Sequence, residues 1–179
     1  MEMVKIPEKR KRALLSCKKI IEKKAKVSLE ISDSVFIDGE PIQEMTAADV
    51  VKAIGRGFDP ESAFLLFDEE FSLEVINLPD IIGPNRNRLE IVKGRIIGRY
   101  GSSRKKIEEL AHVAVTVYGK TVSIIGKWEN VNKAKESIML LASGSKHGTA
   151  YRVLNHDRKR QKGKHGRRDG QEPEIHKHS

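Results

Sequence analysis

The chain lacks most of the residues that staple or catalyse. It has one cysteine, Cys17, among 179 residues. A single thiol closes no internal disulfide and builds no cysteine metal site. No apolar run approaches the roughly 20 residues that a membrane span requires. The first residues, with Glu2, Lys5, Glu8 and Lys9, contain no signal-peptide core. The expectation is a soluble, cytoplasmic protein with no membrane partner. Aromatic residues make up 5% of the chain, and acid is outnumbered: 34 lysines and arginines stand against 25 aspartates and glutamates. The net charge of +9 and pI near 9.6 favour a polyanion, either nucleic acid or an anionic membrane surface.

Catalytic motifs are missing as well. Gly119-Lys120-Thr121 resembles the end of a phosphate-binding P-loop, but that motif needs a glycine where Ala114 stands. Gly94, Gly98 and Gly101 do not fit the dinucleotide-binding glycine pattern. His147, His156, His165, His176 and His178 are scattered, and only His176 and His178 have spacing for a weak metal contact. Glu108 and Glu109, like Asp68, Glu69 and Glu70, read as solvated faces. No nucleophile has a base and an orienting partner. The expectation is a protein that is not an enzyme, with no cofactor and no metal.

What is present centres on Gly94 to Leu110. Gly98 and Gly101 bracket Arg99 and Tyr100, Ile96 and Ile97 lead in, and a basic helical stretch from Ser102 leads out. Glycine admits sharp turns and close backbone approach, and the positive end of the following helix favours an anion. Arg99, Arg104, Lys105 and Lys106 add charge around the same turn. A GxxG loop of this kind clamps nucleic acid in KH domains. Two glycines three apart are a weak signal, but the surroundings strengthen it. Leu89, Ile91 and Lys93 alternate with Glu90 and Val92 as a short extended run. Val113, Val115 and Val117 alternate as a strand, Tyr118-Gly119-Lys120 turns, and Val122, Ile124 and Ile125 form a second strand. Val131, Ala134, Ile138, Leu141 and Ala142 then recur at helical spacing.

The first 80 residues repeat this pattern at an offset of 86, which sets Ala25–Ile31 on Ala111–Val117. Both glycines of the loop are lost, with Arg12-Ala13-Leu14-Leu15 in their place, so a continuous helix should replace the turn. Its basic residues read equally as a solvated face or an RNA contact. Gly55-Arg56-Gly57-Phe58 ends a helix, Asp59 and Pro60 start a short apolar one, and Phe71 to Leu78 alternate as a strand. That appendage should pack across the junction. The expected class is α+β: two tandem KH-type (βααββα) units, the first degenerate, plus a disordered basic C-terminal tail. The boundaries are 1–80, a linker at 81–87, 88–154 for the unit with the GxxG loop, and 155–179 for the tail. In the tail, Arg158, Lys159, Arg160, Lys162, Lys164, Arg167 and Arg168 point to an arm on RNA phosphates.

Five stretches resemble one family: Lys93–Arg99, Val117–Val122, Ile124–Gly126, Leu141–Tyr151 and Asp49–Phe58. It is the Dim/Pno-type (partner-of-Nob) ribosome-assembly KH proteins, archaeal-like. The resemblance covers residues 4 to about 155. It implies a non-catalytic factor that binds single-stranded RNA at the 3′ end of small-subunit ribosomal RNA and assists its maturation. The partners it implies are that RNA, the PIN-domain endonuclease and the alpha subunit of initiation factor two. The RNA-binding set on these grounds is Arg95, Ile96, Ile97, Gly98, Arg99, Tyr100, Gly101, Ser102, Arg104, Lys105, Val115 and Val117. Gly98 to Gly101 would hold the backbone, and the apolar members, with Ile107, would floor a groove along the Val115–Val117 strand edge. The alternative is a general KH-domain RNA-binding protein of RNA turnover or translation.

Overall fold

The structure, a computed structural model, describes residues 1–155; the basic arm expected beyond them lies outside the described residues. The first half runs β1 (Glu2–Val4), α1 (Glu8–Ala25), β2 (Ser28–Ile31), β3 (Val35–Asp38) and α2 (Pro41–Gly55). Its strands form an antiparallel sheet in the order β1-β3-β2. As expected where the loop glycines are missing, α1 is one unbroken helix of 18 residues, with Leu14, Cys17, Ile21 and Ala25 buried at helical spacing. Burial also pushes the Cys17 thiol above its ordinary pKa, so this cysteine is an unreactive packing group.

The Asp59 carboxylate caps α3 (Pro60–Phe64) by accepting from Ser62 N–H, and Pro60 begins the helix, as its sequence suggested. The chain then enters β4 (Phe71–Asn77), α4 (Leu78–Ile82), α5 (Arg86–Ile97), α6 (Ser102–Ala111), β5 (Ala114–Tyr118), β6 (Thr121–Lys127) and α7 (Trp128–Ala142). A last helical stretch covers 147–155.

Three differences from the sequence reading bear on the site. The run at 89–93 is not extended but lies within α5. Asn85 caps that helix by accepting from Arg88 N–H, and Leu89, Val92 and Ile96 make its buried stripe. The strand at 71–77, expected as an appendage of residues 1–80, pairs in full register with β6, giving the sheet order β4-β6-β5. The second sheet therefore starts at Phe71, and the expected linker at 81–87 holds the end of α4 and the start of α5. The helix at 147–155 was not foreseen. Ala150 and Leu154 bury it against the second core.

β6 is buried on both faces, which explains its nearly continuous burial. Ile124 and Val122 face α5, α6 and α7 with Val115 and Ile76. Ile125, paired with Leu73 and Ala114, joins the core of the first half. The segment at 71–77 thus packs across the junction, as expected, but as a sheet strand.

The two halves share local geometry at the offset of 86. Lys26 and His112 both end a helix with positive φ, 57° and 54°. Val27 N–H and Val113 N–H reach the carbonyls of Glu22 and Glu108 at 3.3 and 3.2 Å. Leu29 N–H and Val115 N–H donate to the carboxylates of the same two glutamates at 2.9 and 2.8 Å. After a one-residue slip to an offset of 87, the likeness continues: a Cβ on Gly39 or Gly126 would meet Val27 or Val113 at 2.8 or 2.7 Å.

Candidate nucleic-acid interface

The turn between α5 and α6 depends on its glycines. Gly98 has φ 74° and ψ 174°, a conformation in effect confined to glycine. A Cβ there would lie 2.6 Å from Ser103 N. Gly101 is left-handed at φ 76° and faces open space. Between them Tyr100 is itself left-handed, at φ 54°, and 94% exposed. Arg99 is exposed beside it. A cation and an aromatic ring therefore stand at the tip, just ahead of the positive end of α6. Ser102 and Lys105 are exposed on the first turns of that helix.

Other residues expected at the site have different duties. Ile96, Ile107 and Val115 are fully buried in the second core, so they lie beneath the surface and do not floor a groove for bases as expected. The cause is α5: its helical spacing turns Ile96 inward and leaves Ile97 half-exposed. Val117 is half-buried on edge strand β5. Val115 does not present a free edge. Its carbonyl accepts from the Arg104 guanidinium at 3.2 Å, and its N–H donates to Glu108. Arg104 is thus tied to the strand edge. Arg95 donates to the Ser145 carbonyl, away from the tip.

The sequence reading missed a cleft of about 510 Å³ between α5 and the β5–β6 turn. Arg86, Leu89, Glu90 and Lys93 line one side, with Gly119 and Lys120 opposite. These α5 residues recur every three or four positions on the face that continues to Ile97. One helix face thus joins the cleft to the glycine turn. Lys93 is paired with Glu90 at 3.3 Å, while Arg86 and Lys120 are exposed.

The helix at 147–155 braces the turn from behind. The Tyr151 hydroxyl donates to Ser103 Oγ at 3.0 Å, and Lys106 Nζ sits 5.6 Å from the Tyr151 ring centre. His147 Nε2 lies 3.0 Å from the Arg95 carbonyl oxygen. Ser103 is buried, and its backbone is the surface on which Gly98 rests. Tyr151→Phe should therefore cost about 1 kcal/mol, and thermal melting should read it as a drop of about 2–4 °C.

A sheet of order β4-β6-β5, helices joined by a glycine turn and a covering α7 define a KH domain of the eukaryotic type. A family model for the second KH domain of PNO1, a eukaryotic-type (type I) KH domain, matches residues 72–159. The chain belongs to the Dim2/Pno1 family of KH-domain ribosome-assembly proteins and is archaeal-like. It is 42% identical over 178 residues to the KH domain-containing protein MJ0443 of Methanocaldococcus jannaschii, covering 93% of this chain and 77% of that one. It is 30% identical over 127 residues to the pre-rRNA-processing protein PNO1 of Chaetomium thermophilum, covering 69% of this chain. The chain spans about half the length of that relative, 48%. Among solved structures, the a/eIF2alpha–aDim2p–rRNA complex of Pyrococcus horikoshii contains a chain similar at TM-score 0.81 and 44% identity, covering 89% of this chain and 94% of that one.

Proposed function

We propose that this chain is an RNA-binding ribosome-assembly factor that holds single-stranded RNA at the 3′ end of small-subunit ribosomal RNA and does no chemistry on it. The observation that carries the reading is the glycine turn. Gly98 has a glycine-only backbone, and Arg99 and Tyr100 are exposed at its tip. Arg99 supplies charge to phosphate, and Tyr100 offers a ring on which an unstacked base rests. The half-exposed flank of α5 then takes the strand toward the cleft. The first half is read as a KH-derived unit, on the strength of the shared bonds at offset 86. It has no glycine turn, so its share of single-strand binding is small.

The relatives support the target. PNO1 is named a pre-rRNA-processing protein, and the Pyrococcus chain was solved with rRNA and the alpha subunit of initiation factor two. We infer the same alpha subunit as a partner here, and the PIN-domain endonuclease as the enzyme to which the strand is presented. An end-labelled RNA spanning the mature 3′ end, incubated with the purified protein with and without magnesium or manganese, should remain uncut. Metal-dependent cleavage that survives purification and is lost on a point substitution in this chain would overturn the binding-only reading.

The basic arm has its own test. Deleting 156–179 removes seven cations between Arg158 and Arg168. Thermal stability should be nearly unchanged. Affinity for single-stranded RNA should fall, and its logarithmic salt dependence should flatten by roughly 0.7 for each phosphate no longer neutralised. An unchanged slope would leave the arm a solubilising tail.

A further inference from the structure

We propose that the outer face of the first sheet is a docking surface for a partner protein, one that presents a lysine- and arginine-rich amphipathic helix. The surface lies on β1-β3-β2, apart from the glycine turn and the α5 cleft, and it does not depend on the RNA reading.

Burial alternates along the strands, so each has an inner and an outer side. Val4, Leu29, Val35 and Ile37 point into the first core. Phe36 stands at the centre of the outer side and is half-buried. Met3 lies opposite it on β1 and Glu30 opposite it on β2. Met3 is 56% exposed, and Asp38, next on that side of β3, is exposed too. The start of α2 stands at this end of the sheet, where Gly39 N–H donates to the Glu44 carboxylate at 3.0 Å. Ile42 and Met45, 78% and 65% exposed, share one side of that helix. Grouped bare apolar side chains with a polar rim mark interaction surfaces, and methionine adapts its shape to what covers it.

In the second half the corresponding face is an interface. Ala114 and Thr116 match Ser28 and Glu30 at the offset of 86, and Ser123 and Ile125 match Phe36 and Asp38 at 87. There Ile125 is fully buried in the first core, together with Ala63 and Leu66 that follow α2. Leu73 and Ala114 pack against the same cluster, and the Thr116 hydroxyl donates to the Arg56 carbonyl at 2.9 Å. One sheet thus has its outer face covered by protein. Among the described residues nothing covers Met3, Glu30 and Asp38 on the other.

Charge selects the partner. From Val27 to Val51 there are six acids, Glu30, Asp33, Asp38, Glu40, Glu44 and Asp49, and no lysine or arginine, in a chain of net charge +9. Asp49 pairs with Lys52 at 3.6 Å, and Glu44 with the Met1 amine at 2.8 Å. Among the described residues the other four carboxylates have no ion pair or side-chain hydrogen bond. Glu30 and Asp38 are diagonal neighbours on the outer face, a relation of roughly 7–8 Å in a sheet, so one cation can serve both. Phosphate is repelled here, and a neutral apolar segment would bury these carboxylates unpaired. A helix with an apolar stripe for Met3, Phe36 and Met45 and cations along its edges meets both needs.

The test titrates the full chain with a fluorescent peptide of leucine and lysine at helical spacing, in about 0.15 M salt so that only short-range charge contacts survive. One peptide should bind per chain, with NMR shift changes centred on Phe36 and Glu30. The same peptide with glutamate for lysine should not bind. Affinity should fall about tenfold in Glu30→Lys/Asp38→Lys, where like charges now face each other. It should fall less in the milder Glu30→Gln/Asp38→Asn and severalfold in Met3→Ser/Met45→Ser. Melting checks each fold, and affinity for single-stranded RNA should stay unchanged throughout. Shift changes centred elsewhere, or peptide affinity unchanged in the folded variants, would overturn the proposal. A wild-type dimer that Glu30→Lys/Asp38→Lys breaks would give the face to a second copy instead. A peptide of residues 156–179 that displaces the probe as well as its unlabelled copy does would give the face to the chain's own arm.

Discussion

Replacing Arg99 and Tyr100 together by aspartate is expected to weaken single-stranded RNA binding at least tenfold while the protein stays folded. Both side chains are exposed and support no core. A hydrogen bond to a charged group contributes about 1.5–3 kcal/mol, and about 1.4 kcal/mol is one factor of ten in affinity. The carboxylates add repulsion against phosphate. The equivalent pair at offset 86 is Ala13 and Leu14, and there the result should be the reverse. Leu14 is completely buried among the first core, so aspartate would place an unpaired charge in an apolar interior. That variant should fail to fold before its RNA binding can be compared. Equal losses of affinity in two folded proteins would refute the asymmetry between the halves.

The second large effect separates the two glycines of the turn. Gly98→Ala should lower stability by at least ~2 kcal/mol, because the backbone conformation costs about 1–3 kcal/mol for any other residue. Its Cβ would also lie 2.6 Å from the Ser103 nitrogen, which the buried start of α6 cannot move aside. A melting temperature lower by about 4–8 °C is expected, with RNA affinity falling as the turn shifts. Gly101→Ala meets no atom within 4 Å and bears only the left-handed cost, about 1–2 kcal/mol. It should keep the fold and most of the affinity. Thermal melts with binding titrations on both variants decide this, and a Gly98→Ala protein as stable as wild type would show that the turn does not depend on its first glycine.

Much of this architecture was legible because local patterns and packing agree. The stripe Val131, Ala134, Ile138, Leu141 and Ala142 is buried on α7 as read, and the lost glycines did give a continuous α1. The misreading at 89–93 has a definite source. Ile91 is 64% exposed on α5, and this exposed apolar residue imitated strand alternation between Leu89 and Lys93. Once that segment is a helix, Ile96 turns inward, and the groove floor expected from Ile96 and Val115 becomes core. β4 and β6 pair across some fifty residues of chain, and local periodicity carries no information about which sheet a strand joins. The helix at 147–155 is held by Ala150 and Leu154 with Tyr151 on Ser103, too few apolar positions beside Gly148 to announce a helix. The glycine turn was legible because its chemistry is local: two glycines, the cation and the ring they present.

If the glycine turn holds the 3′-terminal single strand of small-subunit ribosomal RNA, that strand should be shielded where it lies on the turn. Nuclease footprinting reads this directly, on that RNA beside a shuffled strand of equal length, with wild-type protein and with Arg99→Asp/Tyr100→Asp. A protected stretch is expected on the 3′-terminal sequence, with weaker protection of the shuffled strand and loss of the footprint in the variant. Equal protection of both strands, or a footprint that survives the double substitution, would rule out this role for the turn.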